Sequence, residues 1–371
     1  MTHVVVVGCG IVGAAIAYEL SQVSGLTVTV LERQHPAQAA TGAALGVLMG
    51  AISRKTKGNN LRMRLSSIQR YNTWIPQLES VTGRRIPFNQ QGILRLCFEG
   101  EDLAFWKQLA AIRQPQGWKL EVCDRSYLTL NYPQLNLEKV IAAVYSPQDR
   151  QVDPTSLTLA LIEAAAKNGV RFRFETPVVG ADSNGSHSNH TQRCQQIHTT
   201  TDSLSIDWLV IAAGLGSVPL TTQLQRSVDI RPILGQAVHL KLLESLGKLD
   251  FQPVITGDDI HLVPLGGGEY WVGATVEFPD QEAPDPGFPA SNSAALEAVM
   301  QRAITLCPAL AEATVVRTWS GLRPRPQGRP APIIEILPGY CNVLLATGHY
   351  RNGVLLAPAT AAKIREMIVA E

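Results

Sequence analysis

Gly8-Cys9-Gly10-Ile11-Val12-Gly13 sets three glycines at the spacing GxGxxG. Gly8 permits a tight turn, Gly10 lets the main chain approach a pyrophosphate, and Gly13 lets a helix pack close on its strand. The N–H groups at the start of the helix that follows face the phosphates with a positive partial charge. Glu32 follows Gly13 by about twenty residues, where an acceptor for a ribose 2′-hydroxyl belongs. The spacing therefore predicts a dinucleotide, NAD or FAD. A 2′-phosphate would be repelled by Glu32, which disfavours NADP, although Arg33 beside it works the other way.

A second set of residues points to an anion. Arg323 stands between Leu322 and Pro324. An unpaired guanidinium in such an apolar setting is costly, so it needs a carboxylate, from a substrate or from the protein. Arg351 precedes Asn352-Gly353 and fits either an anion site or a solvent-facing turn. The three histidines His187, His190 and His198 in the polar stretch 182–205 have no acid or cysteine at ligand spacing, and a solvated loop is expected with no metal. The six cysteines are scattered without a CxxC pair. They read as free, mostly buried thiols in a reducing compartment, which implies a cytoplasmic protein.

The elements that must carry these residues follow from the apolar pattern. His3–Val7 is a short β-branched run suited to a strand buried on both faces. The alanine-rich stretch after Gly13 is a helix ended by Gly25, and Leu26–Leu31 is the next strand, giving one β-α-β unit. Further helices are expected over Leu61–Thr82, from Asp153-Pro154 to Lys167 with Asp153 as N-cap, over Ala294–Leu306, and over Val354–Val369. Arg85–Leu96 alternates like a hairpin turning at Gln90-Gln91-Gly92, and a hairpin tip or short meander is expected over 182–205. Trp208–Ala213 and Val343–Ala346 read as buried strands, and 230–277 as all-β. Residues 279–290 read as a proline-rich loop. The alternation implies an α/β fold in which a Rossmann-like nucleotide domain (1–82, 150–229 and 321–371) is interleaved with an antiparallel β-sheet substrate domain (83–149 and 230–320).

Composition narrows the class. The chain has 371 residues, 45% hydrophobic and 17% charged, which excludes intrinsic disorder. With 32 Lys+Arg against 31 Asp+Glu the net charge is +1, and no basic block suggests nucleic acid. The N-terminal apolar run lacks a basic flank and ends in glycines, so a strand is expected rather than a signal peptide. No apolar run reaches ~18 residues, so no membrane span is expected. The sequons at Asn184 and Asn189 mark a polar loop.

Thr347-Gly348-His349-Tyr350-Arg351-Asn352-Gly353-Val354-Leu355-Leu356-Ala357-Pro358 closely resembles the signature of the FAD-dependent glycine oxidases of thiamine biosynthesis, in the D-amino-acid oxidase family. Gly321-Leu322-Arg323-Pro324 resembles that family's GLRP, Asp149–Pro154 its D-x-x-V-D-P, Val210–Gly214 its third nucleotide strand, and Gly273–Glu277 its GATxE. These segments span nearly the whole chain in the family's order. The resemblance implies noncovalent FAD, contacting Gly8, Gly10, Ile11, Val12, Gly13, Glu32, Arg33, Thr41, Gly42, Gly46, Val47, Leu48, Val178 and Gly214. It implies that His349, Tyr350, Arg351, Asn352, Gly353, Val354 and Leu355 wrap the isoalloxazine, with the N-terminus of the last helix facing the flavin. It also implies that Arg323 and Arg351 meet the substrate carboxylate, with His261 and Tyr350 the other candidates for the substrate-facing set.

The implied reaction is oxidative deamination of glycine, sarcosine or a D-amino acid. A hydride passes from Cα to flavin N5, and the products are an imino or 2-oxo acid, ammonia and hydrogen peroxide. Dioxygen is the expected acceptor; an FAD dehydrogenase serving a quinone or a protein is the alternative. The oligomeric state is left open, a homo-oligomer included. The pattern is also broken in places. His261 stands where the family often has a tyrosine that helps hold the carboxylate, and Leu265 where it has arginine. Gln327-Gly328-Arg329-Pro330 replaces an Asp-Gly, and Glu335 a glycine. His261 fits a pocket residue or a core histidine satisfied by backbone equally well.

Overall fold

The computed structural model describes residues 1–185, 191–278 and 292–370. The expected proline-rich loop 279–290, together with Asn189, His187 and His190, lies outside the described residues. The GxGxxG segment leaves a six-stranded sheet with the strand order Ile333–Ile336, Val343–Thr347, Trp208–Ile211, Thr2–Val7, Leu26–Leu31, Arg171–Arg173. All neighbours in it are parallel except the edge strand Ile333–Ile336. The chain moves one way from Thr2–Val7 to Leu26–Leu31 and the other way to Trp208–Ile211, so the glycines sit at the point where the strand order reverses, the place where α/β sheets open a crevice.

The first helix, Ile11–Leu20, is buried along its whole length. This explains its lack of a polar face: helices Asn59–Thr82, Pro154–Lys167 and Gly353–Val369 surround it. Its one acid, Glu19, is 2% exposed and is paired with Arg70 and, at 3.1 Å, with Arg365, which tie two neighbouring helices to it. Asp153 caps the helix Pro154–Lys167 by accepting from Ser156 N–H.

Pro358 lies inside the last helix and has no N–H, so the carbonyl of Val354 loses its usual helical donor. The buried hydroxyl of Tyr71, on the helix Asn59–Thr82, donates to that carbonyl instead, and Ser67 Oγ accepts from Ala359 N–H at 3.3 Å. Tyr71→Phe strands a buried carbonyl at the cost of about 1–3 kcal/mol. Urea denaturation followed by tryptophan fluorescence should show that loss; an unchanged midpoint would mean that another donor satisfies Val354.

The second large sheet has eight strands in the order Thr314–Pro326, Ile230–Lys241, Glu269–Gly273, Ile260–Gly266, Val254–Gly257, Ile93–Phe98, Val140–Ser146, Glu121–Asp124. The strand Thr314–Pro326 runs without a break through residue 321, so its far end carries Arg323 toward the first sheet. Residues 85–96 do not form the expected hairpin. Phe88–Asn89 pairs with Arg150–Val152 in a small three-stranded sheet, whereas Ile93–Phe98 joins the eight-stranded one. Gly92, with φ +81°, turns the chain between the two sheets instead of back on itself. The expected meander is present: Val178–Gly185, Gln192–Thr199 and Ser203–Ser205 form an antiparallel three-stranded sheet. All six cysteines are free thiols, five of them buried. Among the described residues no helix is long and apolar enough to cross a membrane.

Candidate active site

At the strand-order reversal a cleft opens between the two large sheets. Gly8, Gly10, Ile11 and Val12 line its inner wall, and Glu32, Arg33, Gln34 and His35 one end. Thr41, Gly46, Val47 and Gly214 line its flanks. Gly235, His261, Arg323 and the bend from Gly348 to Arg351 close the other end, with Gly353, Val354 and Leu355 behind them.

Geometry explains the glycine turn. Gly8 has φ +105°, and a Cβ there would lie 2.6 Å from Ala212 O. A Cβ on Gly13 would lie 1.9 Å from Gly8 O, so this glycine is needed for helix–strand packing and does not itself line the cleft. At Gly10 the only close atom would be Thr41 Oγ1, at 3.0 Å. That hydroxyl accepts from Ile11 N–H at 3.0 Å, and Gly10 offers no side chain to cap the remaining first-turn donors. Glu32 accepts from Cys9 N–H at 2.8 Å and from Gln34 N–H at 3.0 Å. Burial, with the Glu32 charge beside it, pushes the Cys9 thiol far up, so Cys9 is an inert part of the turn.

The far end is positively charged. Arg323 Nη1 donates to Leu234 O at 3.1 Å and to Thr275 O at 3.0 Å. No carboxylate pairs with Arg323 among the described residues, and Nη2 and Nε have no partner there. Burial and the neighbouring Arg351 depress its pKa. A Cβ on Gly235 would lie 2.2 Å from Arg323 Nη2, so glycine is what leaves room for the guanidinium.

His261 lines the same end, and its buried Nδ1 has no hydrogen-bond partner among the described residues. It is therefore a pocket residue and not a core histidine satisfied by backbone. Burial, then Arg351 and Arg323, lower its pKa to about 4, which keeps it neutral. Tyr350 has φ +53°, and its ring centroid lies 5.8 Å from the Arg325 guanidinium. Arg351 is exposed at the mouth.

His349 is buried and its Nε2 meets Thr360 Oγ1 at 2.9 Å, which ties the bend to the last helix. Burial lowers its pKa to about 4. An unfolded histidine titrates near 6.5. The folded protein thus resists protonation of His349, and stability present above about pH 6.5 is lost as the pH falls toward 4, by roughly 3 kcal/mol for this residue. Denaturation midpoints between pH 7.5 and 4.5 should fall more steeply for the parent than for His349→Gln; equal slopes would contradict the assignment.

Several expected contacts lie off the cleft. Gly42 packs on Ala37 O, Leu48 is buried in the small sheet opposite Arg150, and Val178 starts the meander opposite Thr199. Asn352 turns its side chain to Arg64. Asp149 holds the loop after Leu48, taking N–H groups from Gly50 at 2.7 Å, Ala51 at 2.8 Å and Ile52 at 2.9 Å. Arg113, fully buried, takes the carbonyls of Ala51 at 2.9 Å and Ser53 at 3.1 Å.

A family model described as FAD dependent oxidoreductase matches residues 3–367, almost the whole chain. The protein belongs to the FAD dependent oxidoreductase family. This oxidoreductase is 33% identical to a bifunctional protein ThiO/ThiG of Synechocystis sp. over 99% of the chain, and spans 52% of that relative's length. It is 28% identical to a glycine oxidase of Bacillus subtilis over 98% of the chain and 92% of the relative. A crystal structure of glycine oxidase from Bacillus cereus superposes with a TM-score of 0.85 at 25% identity, covering 100% of this chain and 95% of that one. The cleft fits the family's FAD. A glycine turn and a helix start whose N-cap is glycine could take a pyrophosphate, Glu32 lines one end, and at the other end lie His261 and the Arg323 guanidinium, which has no carboxylate partner among the described residues.

Proposed function

We propose that this FAD oxidoreductase removes two electrons from a small amino acid and passes them to dioxygen. The observation that carries this reading is Arg323, a guanidinium in the cleft whose Nη2 and Nε meet no acceptor among the described residues, beside the neutral His261. A carboxylate is the anion that matches a planar fork. The peptide carbonyls of Leu234 and Thr275 fix the guanidinium, so it orients the substrate instead of chasing it. His261 lines the pocket beside Arg323, where its neutral ring would contact the substrate without adding a charge.

Bound FAD would supply the two-electron acceptor at flavin N5. No strong general base is required of the chain when the amine binds neutral; positioning and the positive end of the cleft supply the rest. The imino acid product hydrolyses to a 2-oxo acid and ammonia, and dioxygen leaves as hydrogen peroxide. Likeness to proteins named glycine oxidase makes glycine the first substrate to test, with sarcosine, D-amino acids, proline and cyclic amines beside it. Six free cysteines fit a cytoplasmic enzyme. A peroxide-coupled screen of those amines is the test. Peroxide from one or more supports the reading, anaerobic bleaching of the flavin without peroxide in air assigns another acceptor, and neither overturns it.

A further inference from the structure

We infer that Arg64 is a positioning residue that holds Asn352 away from the N-terminus of the helix Gly353–Val369, leaving that helix end open to the flavin. The inference rests on FAD occupying the cleft. Asparagine is among the best N-caps, because its side-chain oxygen satisfies a free first-turn N–H. Asn292 does this, accepting from Ala294 and Ala295 N–H, and Asp102 and Asp153 do the same for their helices. Asn352 stands at the same position and makes no such bond. Its Oδ1 instead accepts from Arg64 Nη2 at 2.9 Å.

Arg64 is placed for that task by its other donors. Nη1 donates to Met49 O at 3.0 Å and Nε to Asn60 Oδ1 at 2.8 Å. Met49 O belongs to the loop that Asp149 holds by its backbone, so the guanidinium bridges a fixed loop and the closing bend. Gly353, Val354 and Leu355 line the cleft directly. Their uncapped N–H groups and the positive helix end then act on whatever negative charge lies against them. The helix Ile11–Leu20, whose start also lines the cleft, likewise has no side-chain cap from its own N-cap residue. At the first helix the N-cap is a glycine and Thr41 Oγ1 takes only the Ile11 N–H; at the last helix the N-cap asparagine is diverted.

The test uses the FAD-loaded protein and sulfite, which adds reversibly to electron-poor flavins and is read by bleaching near the visible maximum. Arg64→Gln is expected to weaken sulfite binding about tenfold, the scale of one helix-end or cap contribution, and to move the flavin midpoint potential to more negative values. Adding Asn352→Ala to Arg64→Gln is expected to recover part of that loss, because no side chain is then left to cap. Asn352→Ala alone is expected to keep sulfite affinity within about twofold of the parent and serves if Arg64→Gln does not fold. Parent-like sulfite affinity in FAD-loaded Arg64→Gln, no recovery in the double variant, or a tenfold loss from Asn352→Ala alone each overturns the inference. A parent protein that takes up no FAD overturns the cofactor reading itself, which separates the two failures.

Discussion

Arg323→Ala is expected to yield a folded, FAD-containing protein whose kcat/KM for its amino acid is reduced roughly a thousandfold, most of it in KM. Truncating one partner of a buried, hydrogen-bonded charge pair costs about 2–5 kcal/mol, and a thousandfold is about 4 kcal/mol. The guanidinium is held by Leu234 O and Thr275 O and by no acid among the described residues, so there its removal strands two backbone carbonyls but no buried carboxylate. Loss of ground-state and transition-state binding together appears in KM. Arg323→Lys should recover little, since an ammonium cannot satisfy the two carbonyls and offer a fork at once.

Gly235→Ala tests the same geometry with the charge intact. Its methyl would fall 2.2 Å from Arg323 Nη2, so KM should rise although every charged group is retained. Steady-state kinetics with the visible spectrum recorded on the same samples decides the matter. Unchanged KM in Arg323→Ala would remove the carboxylate role, and loss of the yellow spectrum would reassign Arg323 to the cofactor.

What could be read in the chain was what is local. GxGxxG, the helix after it and Glu32 are one β-α-β unit whose parts lie within a few turns of each other, so their spacing carries their geometry. Asp153-Pro154 and the final helix were legible for the same reason. The helices Leu103–Arg113 and Arg125–Asn131 were missed although Asp102 and Asp124 cap them, a signal present in the residues. The failed hairpin at 85–96 has a different cause. Alternation reports a half-buried strand but not its partner, and the partners of Phe88 and Ile93 lie about sixty and fifty residues away in two sheets. Arg64 had no signal at all: an arginine on a helix shows nothing of the carbonyl and the asparagine that it joins. His261 was visible as a broken pattern, and only the structure shows that its buried Nδ1 has no hydrogen-bond partner among the described residues.

The glycine turn offers the second large effect, and two neighbouring substitutions separate cofactor binding from folding. Gly10→Ala is expected to leave the apoprotein folded and to weaken FAD binding by roughly a hundredfold or more, about 3 kcal/mol. Gly10 has φ −75°, which any residue adopts, and its added methyl meets only the Thr41 hydroxyl at 3.0 Å, a contact that a small side-chain shift relieves. The methyl then occupies the side from which a pyrophosphate must reach the backbone. Gly13→Ala is expected to act on the fold first. Its methyl would stand 1.9 Å from Gly8 O, so the helix Ile11–Leu20 must move off its strand, at a cost of more than about 4 kcal/mol. FAD titration by fluorescence quenching and thermal unfolding of both apoproteins give the comparison. An apo Gly10→Ala with a parent-like Tm and no FAD uptake supports the turn as the pyrophosphate cradle. Parent-like FAD affinity in that variant would move the cofactor's phosphates elsewhere in the cleft.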